Sequence, residues 1–208
     1  MSADLTAGRV APVIRAARAD ELAAVGALIS HSFDHLDADA YLVPRPEDRL
    51  RVMADFFTLL TEHAYKYGRV DVVDRPGGGL AATAVWFDYT QESPDPENYD
   101  ARLADLAGPY LDRFLALDDL FAKHHPHDEH WHLAFLAVHP EEQDHGLGSR
   151  LMSRTHDELD RDGTPAYLEA TNANNVRLYR RHGYADMDPF EMPLPDGTPF
   201  FRMWRKPA

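Results

Sequence analysis

The stretch that most constrains this chain is HWHLAFLAVHPEEQDHGLGSRLM, residues 130–152. It reads as a nearly continuous apolar strand, a break at His139-Pro140, a glycine-rich turn, and a helix. Leu147, Leu151, Met152 and Leu159 mark the helix, which stops at Gly163. A strand that is apolar at almost every position belongs at the centre of a sheet. The turn after it can gather the backbone amides of His145, Gly146, Gly148 and Ser149 on one anion, with the positive end of the helix dipole behind them. Gly146 and Gly148 carry no side chain to block a close approach, so the geometry suits a pyrophosphate.

Other elements surround that unit. VIRAA (13–17) is a strand, and Asp20 is placed to cap a helix with Leu22, Val25, Ile29 and Phe33 at helical spacing. HLDADAYLVPRP reads as a polar loop leading to a second helix from about Pro46, with Leu50, Met53, Phe57 and Leu60 on one side. RVDVV and LAATAVWF, joined across DRPGGG, form an antiparallel hairpin. Residues 99–123 read as helical with an interruption at Gly108-Pro109; PAYLEAT is a strand, and Asn174 to His182 a short helix ended by Gly183. YADMDPFEMPL and PFFRMWRK form a closing hairpin. The expectation is an α+β fold in a single domain over residues 11–208, preceded by about ten disordered residues.

Composition removes several classes of chemistry. The chain has no cysteine, which excludes disulfides, thiolate nucleophiles and cysteine-ligated metals. A formal charge of −14 argues against a nucleic-acid partner, since phosphate-binding surfaces cluster Lys and Arg, and it suits a cationic small molecule as well as plain solubility. No apolar run approaches the roughly 18 residues of a membrane span. The N-terminus lacks the basic start and apolar middle of a signal peptide, so a cytoplasmic location and no membrane partner are expected.

Three nucleotide-binding patterns compete for the glycine turn. The P-loop needs Gly-Lys-Ser/Thr, whereas this chain has Gly148-Ser149-Arg150. The dinucleotide fingerprint fails because Leu151 stands where its third glycine belongs. Gln143-Asp144-His145-Gly146-Leu147-Gly148 matches the Q/R-x-x-G-x-G/A motif of the GCN5-related N-acetyltransferases (GNAT), and LEATNANNVRLYRRHGY resembles their following strand, asparagine, tyrosine-bearing helix and Gly-aromatic pair. Within that family the W-x-L-A-x-x-x-V-x-P stretch, the Leu-Glu strand and the Arg-Lys-Pro ending are similar to puromycin N-acetyltransferase and its relatives.

The resemblance implies a GNAT acyl-CoA N-acyltransferase fold, with a central mixed, mostly antiparallel sheet whose parallel middle strands splay apart, flanked by helices. Acetyl-CoA is the implied cosubstrate, with no metal. The backbone of Leu136, Ala137 and Val138 would pair with the pantetheine arm, and Gln143, Asp144, His145, Gly146, Leu147, Gly148 and Ser149 would take the pyrophosphate. Asn175 is either a cofactor contact or a turn residue. Tyr179, a phenol of ordinary pKa near 10, matches the family's proton donor, against the reading of a core aromatic. Asp144 and His145 depart from the family's glycine and basic residue.

The acceptor would be a small-molecule primary amine, an aminonucleoside or other amine antibiotic among the candidates, bound by residues 31–45, the second helix, 88–98 and 186–200. Glu169 is the leading candidate for its base; His132 has a suitable pKa, but alternation directs it away from the cleft. His124 to His130 read as a polar loop near the acceptor mouth rather than a metal site, with His130 and His132 entering the sheet. A non-catalytic acetyl-CoA or small-ligand binding module on the same fold is the alternative. Homodimers are common among proteins of this kind.

Overall fold

The structure is a computed structural model that describes residues 12–208; the segment expected to be disordered lies outside the described residues. Seven strands, β1 (Ile14–Ala16), β2 (Gly68–Asp74), β3 (Leu80–Asp88), β4 (Trp131–Val138), β5 (Ala166–Ala170), β6 (Ala185–Pro193) and β7 (Pro199–Arg205), form one sheet in the order β1-β2-β3-β4-β5-β7-β6. Every neighbouring pair is antiparallel except β4 and β5, which are parallel. They pair only at Trp131↔Ala166 and His132↔Tyr167. Past that point β4 stays on β3 and β5 stays on β7, so a gap opens in the middle of the sheet.

Helices cover both faces. Helices α1 (Leu22–Phe33), α2 (Asp37–Leu42), α3 (Pro46–Tyr67), α4 (Tyr99–Ala107) and α5 (Leu111–His124) pack one core around Ile29, Met53, Phe57 and Phe114. Helices α6 (Leu147–Asp162) and α7 (Ala173–Arg181) pack the other, around Trp86, Leu151, Met152 and Met203. An apolar β4 between two cores explains its near-continuous hydrophobic reading.

One irregularity decides where β4 points its side chains. Its register with β3 moves from Phe135↔Val85 to Leu133↔Trp86, leaving Ala134 as an extra residue. Leu133 and Leu136 therefore share the α6 side, while Phe135 and Ala137 face the other core. A bulge of this kind inverts the alternation on either side of it. It turns His132 into the cleft, reversing the expectation from simple alternation.

Three local expectations are also corrected. Asp20 does not cap α1: residues Ala19–Glu21 form a 3-10 turn ahead of it, closed by Glu21, whose carboxylate accepts from the Arg18 backbone N–H at 2.8 Å and from Arg15 at 2.7 Å. Residues 37–42 form a helix, not a loop, because Ala38, Tyr41 and Leu42 fall on one buried face and Asp37 suits its positive end. Leu50 is 46% exposed, since the buried stripe of α3 runs through Val52, Met53, Phe56 and Phe57.

Candidate active site

Where β4 ends, the chain turns through Pro140–Glu142 and enters α6 at Gly146, whose φ of +74° suits glycine and leaves nothing within 4 Å of a would-be Cβ. The first bond within the helix is Arg150 N–H to the Gly146 carbonyl at 3.1 Å. The amides of Leu147, Gly148 and Ser149 precede it and carry the orphan donors of the helix start. Gly148 sits against β4, where a Cβ would touch Leu136 at 3.5 Å and Val138 at 3.7 Å. That is ordinary contact, so the position tolerates alanine but not a long side chain.

These groups line a groove of about 440 Å³ shared with Ser32, His35, Asn172, Asn175, Tyr179 and Arg181. The Val138 carbonyl accepts from Ser32 Oγ at 3.0 Å and from Gln143 Nε2 at 3.3 Å. Asn172 caps α7 by accepting from Asn175 N–H at 2.9 Å, and Asn175 Nδ2 donates to Thr171 Oγ1 at 3.1 Å. His182 and Ser149 Oγ, 3.0 Å apart, tie α7 to the start of α6. Tyr179 faces the groove from a buried position, and burial pushes its phenol well above the ordinary tyrosine value. The expected pKa near 10 is thereby corrected, since the phenolate would lose its hydration.

Phe33 lines this groove and also a second cavity of about 320 Å³ on the α1–α5 side. There, His132 Nε2 and Glu169 Oε2 lie 2.7 Å apart, on the two strands that part at this point. Burial pushes Glu169 upward, but the adjoining His132 outweighs it and holds the carboxyl below its usual value. His132 Nδ1 and Glu169 Oε1 are buried without a partner among the described residues.

The histidine stretch is an irregular loop with His127, Asp128 and Glu129 exposed, but two of its rings are packed inward. His124 ends α5, and His125 and His130 are drawn under the sheet edge around Tyr89 and Tyr167, with Tyr89 stacked on His130 at 5.2 Å. Burial lowers His125 to about 3 and His130 to about 4, so both rings are neutral at pH 7. Aromatic packing on Tyr89 and His130 absorbs the His125 ring, which the sequence placed in the polar loop. Among the described residues no three His, Asp or Glu side chains converge as a metal-binding group.

Of the residues singled out from sequence, Leu136, Val138, Gln143, Asp144, Gly146, Leu147, Gly148, Ser149, Asn175 and Tyr179 line the groove, and Glu169 lines the cavity. Ala137 packs into the α1–α5 core and offers the gap only its backbone. His145 does not line the groove; its ring lies 4.0 Å from Glu142. Sequence reasoning missed Tyr99 and Asp118 of the cavity wall; Asp39 lay within the expected 31–45 segment and His125 in the loop expected near the acceptor mouth, but neither was singled out. For Asp39 the spacing of Ala38, Tyr41 and Leu42 was the available signal; the others come together only through packing.

The described chain has no helix long and apolar enough to cross a membrane. It is similar over its length to several solved structures. The histone acetyltransferase HPA2 and related acetyltransferase from Corynebacterium glutamicum is 26% identical, with a TM-score of 0.70 over 95% of this chain and 97% of that one. Polyamine N-acetyltransferase of Drosophila melanogaster is 19% identical, with a TM-score of 0.62 over 94% and 100%. The PaiA N-acetyltransferase of Thermoplasma acidophilum, solved in complex with coenzyme A, is 14% identical, with a TM-score of 0.58 over 95% and 99%. The model of the acetyltransferase (GNAT) family matches residues 31–184, which contain the gap, the α6 start and Tyr179. With its parted middle strands and its glycine-initiated α6, this chain belongs to the GNAT acetyltransferase family.

Proposed function

We propose that the protein acetylates a primary amine of a small molecule, with acetyl-CoA as donor, by direct attack in a ternary complex. The observation that carries this reading is the junction of groove and cavity, where the buried His132–Glu169 pair stands at the point of strand separation. Amine antibiotics, aminonucleosides included, remain within the acceptor class that the sequence resemblance suggests.

Bound acetyl-CoA supplies an activated acyl carbonyl and a thiolate leaving group. The residues present fit it: the free amides at the α6 start would hold a diphosphate, and the unpaired edge of β4 would pair with an extended amide-bearing arm. Arg181 on the groove wall adds positive charge, and Arg75 neutralises Glu142 by pairing at 3.2 Å. An incoming ammonium must lose its proton, and the Glu169 carboxylate, directly or through His132, accepts it. Tyr179 holds a phenolic proton throughout the neutral range and presents it to the groove as the acid. No covalent acyl-enzyme is needed, in keeping with a chain without cysteine.

The test is release of free thiol from acetyl-CoA with a panel of amines, alongside the melting temperature with and without acetyl-CoA. Turnover on an amine supports the reading. Stabilisation by acetyl-CoA without turnover on any amine would favour a non-catalytic binding module instead.

A further inference from the structure

The second cavity is unusual in its walls. Rings from Phe57, Phe87, Tyr89, Phe121, Phe135 and Phe200 surround it, several of them edge to face, as in Phe57–Phe135 and Phe121–Phe200 at 5.0 Å. No lysine or arginine is among its described lining residues. Three carboxyls reach it, and each is in a different state. Glu169 is paired with His132. Both oxygens of Asp118 accept from the Tyr99 hydroxyl, at 3.1 and 3.0 Å. Asp39, on α2, is only 4% exposed, and its Oδ2 has no partner among the described residues.

On the basis of the amine acetylation proposed above, we infer that the acceptor is a monoamine on a bulky apolar body, bearing one neutral hydrogen-bonding group that meets Asp39. The apolar walls match such a body, and a volume of about 320 Å³ lies at the small end of ligand pockets. A buried polar atom without a partner is costly, so a ligand that supplies one gains selectivity there. Burial also raises Asp39 well above the usual carboxylate range, which disfavours its charged form and so suits a hydroxyl or amide better than a second ammonium. A linear polyamine would have to strip water from several charges among aromatic rings, where Glu169 is already paired with His132 and Asp118 already accepts from Tyr99.

The experiment compares kcat/KM for 2-phenylethylamine, tyramine, 2-amino-1-phenylethanol and spermidine with the native protein and with Asp39→Asn and Asp39→Leu, each variant first checked by thermal melting. The aromatic amines should exceed spermidine, and one hydroxylated amine should exceed 2-phenylethylamine by about tenfold, the worth of one well-placed hydrogen bond. Asp39→Asn should keep that preference and Asp39→Leu abolish it. If the leucine variant fails to fold, Asp39→Ala takes its place: loss of the preference supports the inference, and its retention overturns it. Preference for spermidine, equal rates for all three aromatic amines, or an asparagine variant without the preference would each overturn the inference while leaving amine acetylation intact. If nothing turns over, calorimetry with coenzyme A present separates the two ideas. Binding of the aromatic amines then supports the cavity assignment and removes the enzymatic reading, whereas no binding removes the assignment too.

Discussion

The groove and the cavity share Phe33 and are built by opposite means. The groove comes mainly from two short runs, residues 136–149 and 172–181, and much of what it offers is backbone: helix-start amides and the open edge of β4. The cavity draws side chains from α1, α2, α3, α4, α5, β3, β4, β5 and β7, and its character is aromatic. A backbone site needs glycine and a helix start in a fixed order, which is a local pattern. A side-chain site needs only that distant residues end up facing one another. Damage to the groove should therefore depress every acceptor alike, and damage to the cavity should discriminate among them.

The sharpest test of that division is Tyr179→Phe. Its loss should lower kcat about 10²–10⁴-fold, the range of a general acid, with the same factor for every amine and little change in acetyl-CoA affinity. An acceptor-dependent factor would place Tyr179 with the cavity. Next comes Glu169→Gln, expected to lower kcat/KM about 10²-fold. This variant should also weaken the pH dependence of the rate in the acid range, because the group whose protonation stops the reaction is gone. Unchanged pH profiles would show that Glu169 only positions the acceptor.

Gly146→Val tests the groove alone. The left-handed backbone costs a β-branched residue about 1–2 kcal/mol, and the thermal shift on adding acetyl-CoA should shrink or vanish. Gly148→Ala should keep that shift, since its Cβ meets Leu136 only at 3.5 Å. The smallest effect concerns His156, buried behind the groove 3.1 Å from the Tyr184 hydroxyl and lowered by burial to about 3. Its unfolded form takes up a proton below about pH 6.5 while the folded form stays neutral down to about 3, so its contribution to stability is present above 6.5 and is lost as pH falls. Relative to His156→Gln, the native protein should lose about 1 kcal/mol per pH unit between pH 6 and 4, read from denaturant midpoints. A constant difference across that window would mean that the ring is accessible to protons.

Much of the fold was legible because periodicity and punctuation are local. Pro46 opened α3, Gly108-Pro109 divided α4 from α5, and Gly163 closed α6. The errors share one cause. Asp20 and the 37–42 segment follow local residue preference and Leu50 follows helical spacing, whereas Arg15, the buried face of α2 and the α3 stripe settle them through contacts from elsewhere. His132 was misdirected because an extra residue in β4 shows only in its pairing with β3.

The sequence by itself determined the order of elements, the glycine-initiated helix after a buried strand, and the absence of thiol chemistry. Each is written in residue type at fixed spacing along one segment. Tertiary structure alone decided that His132 meets Glu169, that His125 and His130 are buried rings, and that Asp39 and Asp118 face one aromatic cavity. Those facts depend on strand register and on helices packing over a sheet, and such long-range contacts leave no period in the chain that makes them.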